Sequence, residues 1–341
     1  VRLTRQRLNR TLLRRQHLLE RTSLPSEAVA DHLVGLQGQE TLPPYLSLAA
    51  RVADFDPYAV SRGLDDGSWV RLGSLRGTIH LHTGADALAT RPWLQPALEK
   101  QMRGRVPAAH EEVATVVHDL LADGTVEHRE LGGQLAARLP GRPADLTVVA
   151  RTIVPLVQLP PRGAWRGSGG IVWDLLERRT GGVLATPDPK EVVRRYLRAF
   201  GPATAADLSV WSTVTGLRPV LTRMTDLVRH EDEDGKVLFD VPDGVIEDED
   251  TPAPVRLLGT YDNVWLAHAA RDRVTEAGTR GNWMGANGGV ANTVFVDGWL
   301  AGLWRIEDDR VRIVDLFRDL TPAERAELDD EITRIEGLLA R

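Results

Sequence analysis

The feature that most constrains this fold is a repeat. One pattern, three helices followed by a short hairpin, recurs three times before residue 254. The second copy is the clearest. Residues 111–122 carry helical apolar spacing and stop at Asp123-Gly124. Residues 125–127 read as a short strand-like link, 128–139 as a helix stopped by Pro140-Gly141, and 145–157 as a third helix. Residues 159–175 then hold Pro160-Pro161-Arg162-Gly163-Ala164-Trp165-Arg166-Gly167 and Gly169-Gly170-Ile171-Val172-Trp173. That stretch predicts two strands around a glycine turn, which is a wing. Three helices with a wing make a winged helix-turn-helix.

In the third copy, helices are expected over 191–200, 205–211 (capped by Thr204) and 216–224. An acidic hairpin follows, with strands at 227–230 and 236–241. The first copy carries one helix more, with helices at 4–21, 25–36, 44–55 and 57–64 and a wing of 69–72 and 78–81. From Pro254 onward the pattern shifts to strands over 255–258, 290–296, 300–306 and 311–317. Asp297-Gly298 is a tight-turn signal, and a closing helix over 322–339 has Thr321 as its cap. The expected fold class is therefore α+β: three tandem winged helix-turn-helix units and a small C-terminal β-rich module. The expected divisions are 1–84, 85–185, 186–253 and 254–341.

Composition removes several chemistries. The 341 residues include no cysteine, which excludes disulfides, thiolate metal sites and thiol nucleophiles. No apolar stretch is long enough to span a bilayer, and no apolar signal core follows the Arg-rich N-terminus. A cytoplasmic protein is the simplest expectation. Lysine occurs only at Lys100, Lys190 and Lys236, so nearly all positive charge is arginine. Arginine suits bidentate phosphate contacts, although a GC-rich genome produces the same bias. The net charge of −6 argues against a non-specific nucleic-acid coat, but acidic runs at 231–234 and 247–250 leave room for one basic face. No phosphate loop, dinucleotide fingerprint or nucleophile elbow is present.

Gln37-Gly38-Gln39, expected where the chain turns after the second helix, is the candidate chemical motif. Two long amides two positions apart can point the same way and hold one water in a fixed orientation. A neutral amide is a poor general base, so its contribution is orientation and dipolar stabilisation. Spacing alone favours a plain polar turn. Glu40 beside the motif is expected to cap the next helix. Arg76, Thr78, His80 and His82 alternate along the expected first wing and share one face. They are candidate DNA contacts, with an exposed polar strand face as the alternative. His80 and His82 make a weak metal pair because no third ligand is near.

Several strings resemble the AlkZ and YcaQ winged-helix DNA glycosylases. They are residues 34–40, Leu75-Arg76-Gly77-Thr78-Ile79-His80-Leu81, Pro161-Arg162-Gly163-Ala164-Trp165, residues 196–204, Tyr261-Asp262-Asn263 with His268 and Arg271, and residues 296–305. The resemblance implies three winged helices arranged in a C around DNA. It also implies a catalytic motif of Gln-aliphatic-Gln, or Gln-aliphatic-Asp in the YcaQ-like branch. Gln37 and Gln39 match the AlkZ-like form. Gly38 stands where that pattern has an aliphatic residue, which predicts looser positioning of the amides.

AlkZ-like enzymes are monofunctional glycosylases that remove N7-alkylated guanine, including cross-linked guanines. The alkylated base is cationic and leaves neutral, so a water held against the anomeric carbon suffices. Orientation alone can be worth roughly 7–11 kcal/mol at the extreme. The resemblance thus implies a DNA glycosylase with catalytic Gln37 and Gln39, no cofactor, no Schiff-base lysine and double-stranded DNA with alkylated guanine as partner. The expected state is monomeric. Arg271 and Asn287 join the candidate DNA contacts, with Asn287 in a Gly-rich loop suited to close backbone approach. Asn263, His268 and Arg271 are read equally as buried links between the C-terminal module and the first winged helix. Two other readings stand beside this one: a non-catalytic winged-helix DNA-binding protein, and a protein that sequesters the alkylating agent itself.

Overall fold

The first two wings form one sheet. The computed structural model describes residues 1–276, 280–285 and 291–341. Strands β1 (Leu36–Gln37), β2 (Trp69–Gly73), β3 (Ile79–Thr83), β4 (Val126–Glu127), β5 (Leu156–Gln158) and β6 (Val172–Leu175) pair in the order β1-β3-β2-β5-β6-β4. The β2–β5 ladder, with Arg71 opposite Gln158 and Leu72 opposite Val157, joins residues on either side of the expected division at 84/85. The second unit otherwise follows its pattern, with helices His110–Leu120, His128–Ala136 and Pro143–Ile153. These enclose a core of Val113, Val117, Leu131, Leu135, Leu146 and Val149.

Its wing departs from expectation. The first wing strand is β5, which overlaps the end of the segment read as the third helix, and residues 160–166 form turns. Pro160 and Pro161 have no N–H to donate to a ladder, so the pairing ends before them. A helix absent from the sequence reading, Gly84–Met102, leads into this unit. Thr83 caps it through Asp86 N–H. Pro92 and Pro96 within it disguise its helical pattern.

The third unit matches its pattern closely: helices Pro189–Phe200, Ala205–Ser212 and Arg218–Arg223, then a hairpin of β7 (Val228–Glu231) and β8 (Val237–Asp240). The first helix shows why these residues choose that form. Asp188 caps it by accepting from Lys190 N–H, and Pro189 fits the first turn. Val192, Val193, Tyr196, Leu197 and Phe200 lie on one buried stripe. Each buried side chain of this size contributes about 1.5–3 kcal/mol. The chain's first helix, Arg5–Arg15, packs its Leu12 and Leu13 into this same core. Its Arg15 forms a buried two-point pair with Asp240, at 2.8 and 2.7 Å.

The C-terminal module is a four-stranded antiparallel sheet in the order β12 (Arg310–Leu316), β11 (Trp299–Glu307), β10 (Asn292–Val296) and β9 (Arg256–Leu258). Helix Pro322–Leu339 closes it, with Thr321 and Glu324 forming a capping box. This sheet shares a core with the first unit, where Tyr45, Leu46 and Leu48 meet Leu257, Val294 and Trp304. Arg51 and Asp262, both fully buried, pair at 2.7 and 2.8 Å across that junction. No helix among the described residues is long and apolar enough to cross a membrane.

Candidate active site

The Gln37-Gly38-Gln39 motif sits on the edge of the six-stranded sheet, not in a free turn between helices. Gln37 pairs with His80, and Gly38 N–H donates to Ile79 O at 2.8 Å, so β3 holds the motif in register. Gln37 is 8% exposed and Gln39 is exposed. The Gln37 carbonyl accepts from Arg76 Nη2 at 2.8 Å. The Gln39 carbonyl receives a long contact from Ile79 N–H at 3.4 Å. Each carbonyl keeps a second lone pair. Glu40 is exposed, and the following helix, Pro43–Arg51, has no side-chain cap, so the expected capping role is not observed.

Gly38 is not loose. Arg71 Nη2 donates to its carbonyl at 2.8 Å, so both its backbone N–H and its C=O are bonded. A Cβ at position 38 would lie 3.1 Å from Arg71 Nη1 and 3.3 Å from Pro44 Cγ. A side chain at this position would start in close contact with a buried guanidinium. Burial, with Arg162 nearby, pulls the Arg71 pKa down to about 10.

Arg76 and Thr78 lie in the turn between β2 and β3, and His80 and His82 on β3 itself. Arg76 adopts φ 59°, ψ 13°, a left-handed conformation that costs a residue with a Cβ about 1–3 kcal/mol and persists only where its surroundings hold it. Its guanidinium donates to Gln37, to Trp211 O at 2.7 Å and to His80 Nε2 at 3.0 Å. Burial, and then the neighbouring Arg271 charge, lower its pKa to about 10. Arginine can only donate, so His80 Nε2 must accept. His80 is then the Nδ1–H tautomer, donating to Thr78 O at 3.0 Å. Burial, together with Arg76 and His82, holds the His80 pKa well below 6.5, so His80 is neutral.

Arg76, Thr78, His80 and His82, expected to alternate on one wing face as DNA contacts, are not presented together: Arg76 and Thr78 are half-buried at the turn. His80 and His82 are buried, and Thr78 bonds Leu75 O within its own turn. His82 stands between Ser74 Oγ (3.0 Å from Nε2) and Asp86 Oδ2 (2.8 Å from Nδ1). This has the connectivity of a hydrolytic triad, but all three residues are buried and a Cβ on Gly35 would touch the imidazole, so no substrate reaches Ser74. Burial alone would raise the Asp86 carboxyl. The hydrogen bond from His82 and the Arg195 charge outweigh it and hold the carboxyl below its ordinary range. The cluster is a polar lock that supports the motif from behind.

Gln39 opens onto a cleft of about 490 Å³ between the first wing and the helix-turn-helix of the second unit. Arg129, Arg151 and Arg162 line it, and no carboxylate does among the described residues. Sequence reading missed these three because they lie on separate elements. His128, also in the cleft, has its pKa lowered by burial and by the Arg151 and Arg162 charges. Arg271 donates to Ala269 O at 2.9 Å and to His268 O. Asn263 donates to Gly35 O at 3.0 Å and His268 bonds Phe200 O, so both tie the C-terminal module inward. Asn287 lies outside the described residues. Among the described residues no group of three His, Asp or Glu side chains is arranged to hold a metal.

Residues 30–338 match the family model described as DNA glycosylase AlkZ-like. The interstrand DNA cross-link repair glycosylase of Streptomyces sahachiroi is 27% identical over 336 residues, covering 90% of this chain and 89% of that protein. The solved structure of the Streptomyces sahachiroi DNA glycosylase AlkZ is similar with a TM-score of 0.81 at 22% identity, covering 99% of this chain and 98% of that one. With Gln37 at the end of an edge strand and Gln39 just beyond it beside an arginine-lined cleft, the chain belongs to the AlkZ-like DNA glycosylase family.

Proposed function

We propose that this enzyme is a monofunctional DNA glycosylase for cationic N7-alkylguanine, with Gln37 and Gln39 orienting the attacking water. The observation that carries the reading is chemical: the motif is neutral, and its histidine neighbour His80 is held neutral by burial. Such a site cannot protonate a leaving base or generate hydroxide. It suits a base that is already positively charged and departs as a neutral molecule, leaving an oxocarbenium-like sugar to be met by water. The Gln39 carbonyl, with the lone pair that the Gln37 carbonyl keeps beside Arg76, supplies dipoles toward that developing charge. The arginine-lined cleft beside Gln39 suits the phosphate backbone on both sides of the lesion.

Bulky adducts and interstrand cross-links are included in the proposed substrates. A cross-linked base cannot rotate fully out of the duplex, so the lesion is met where it lies. The exposure of Gln39 at the edge of a sheet, instead of at the bottom of a closed base pocket, is compatible with that. The resulting role is alkylation repair or self-resistance to a genotoxin. The non-catalytic DNA-binding protein stands as the alternative, and the Gly38 carbonyl held by Arg71 lends it no support. The test is base release from duplexes carrying one N7-methylguanine or one uncharged lesion such as hypoxanthine. Free 7-methylguanine with an alkali-labile but uncut strand is expected, with no release of hypoxanthine. A covalent adduct trapped by borohydride would contradict the monofunctional assignment.

A further inference from the structure

We infer that Arg76 is a positioning residue for the reaction: it fixes which way the Gln37 amide faces and couples that amide to the third winged helix. This rests on the water-orienting reading of Gln37. A glutamine amide has a donor end and an acceptor end, and either can face a ligand. Arg76 Nη2, 2.8 Å from Gln37 Oε1, removes the choice, because a guanidinium has nothing to accept with. The Gln37 Nε2 group is thereby turned away from Arg76. The other arm, Nη1, donates at 2.7 Å to Trp211 O. Trp211 lies in the last turn of helix Ala205–Ser212, where carbonyls have no helical partner. One planar group thus spans an edge strand of the first unit and a helix end of the third.

The backbone agrees with this assignment. Arg76 holds a left-handed conformation that favours glycine, although Gly77 follows immediately. A strained residue with a committed side chain points to a functional constraint. His80 completes the arrangement by accepting from the same Nη2, so the guanidinium plane is set from two sides. Lysine would keep the charge but place it at one point, and a point charge cannot bridge Gln37 and Trp211 in fixed geometry.

The experiment is a double-mutant cycle on single-turnover base release from an N7-methylguanine duplex at saturating enzyme, with duplex affinity measured in parallel. Arg76→Met and Arg76→Lys are each expected to lower the rate constant by about 100-fold, the scale of a misplaced reacting group, with affinity changed less than about 3-fold. In a Gln37→Ala background, Arg76→Met is expected to cost nothing further, because its partner is already gone. Added guanidinium is expected to restore part of the rate to Arg76→Ala. Equal losses with and without Gln37, or a loss of affinity alone, would overturn the inference and leave Arg76 as a structural or phosphate contact. Full activity in Gln37→Ala would overturn the water-orienting reading as well. In the wild-type protein, the Gln37 side-chain amide protons, assigned by their absence in Gln37→Glu, are expected as a resolved, shifted pair. Values of a free glutamine would overturn the inference without any Arg76 variant.

Discussion

At the scale of single residues, Gly38 is defined by what surrounds it. The resemblance marks an aliphatic position, and glycine there suggested a loosened motif. Instead a Cβ there would start in close contact with Arg71, which bonds the Gly38 carbonyl, so the smallest residue accompanies a fixed backbone. Gly38→Leu is therefore expected to destabilise the protein by about 1–3 kcal/mol, the cost of overpacking, read as a lower urea midpoint. Gly133→Ala is the contrast. It sits in helix His128–Ala136 with open space around its Cα, and the gain in helix propensity is expected to stabilise by up to about 1 kcal/mol. If both substitutions behave alike, the crowding at Gly38 is not what fixes the motif. Residue identity was legible for Gln37 and Gln39 through resemblance. Arg76 was legible as a candidate contact, but its bond to Gln37 and that of Arg71 to Gly38 were not, because hydrogen bonds across 39 and 33 positions leave no trace in local spacing.

At the scale of elements, periodicity recovered most helices and the hairpins of the first and third units. It failed where composition and burial part company. Prolines hid helix Gly84–Met102, and β3 has five buried residues, so its alternating polar residues did not mark a solvent face. His80 and His82 are polar and buried because each finds partners within the fold. The buried triad-like cluster carries a prediction of its own. Ser74→Ala is expected to leave base release within about 3-fold, since Ser74 acts only as a partner to His82. A loss of several hundred-fold would mean that the cluster takes part in the chemistry. The cleft arginines come from the helix-turn-helix and the wing loop of the second unit, and only the folded sheet brings them beside Gln39. Replacing Arg151 or Arg162 with Gln is expected to weaken binding similarly for all duplex sequences and to reduce the salt slope by about 1 each. An unchanged slope would remove them from the phosphate contacts.

At the scale of the whole molecule, buried neutral histidines make stability depend on pH. Burial lowers the His17 pKa to about 4 and the His268 pKa to about 3, and lowers His32 and His80 as well. Between about pH 6.5 and 4 the unfolded chain therefore binds more protons than the folded one, so stability rises with pH across that window and falls on acidification. Urea midpoints at pH 7 and pH 5 are expected to differ in that sense, and an equal or higher midpoint at pH 5 would contradict the burial of neutral histidines. Base release is expected to behave differently, because the motif residues have no titrating proton and Arg76 loses its charge only near pH 10. Its rate constant above the spontaneous reaction is expected to be flat from pH 6 to 8. The sharing of cores among the first helix, the third unit and the C-terminal sheet was not legible in sequence, where those segments lie far apart. Water orientation by the two glutamines is tested by single-turnover release of 7-methylguanine by the wild-type enzyme, Gln37→Ala and Gln39→Ala, with duplex binding measured for each. Release above spontaneous depurination is expected to fall about 100-fold in both variants while binding is retained. Undiminished release by either variant would contradict that role.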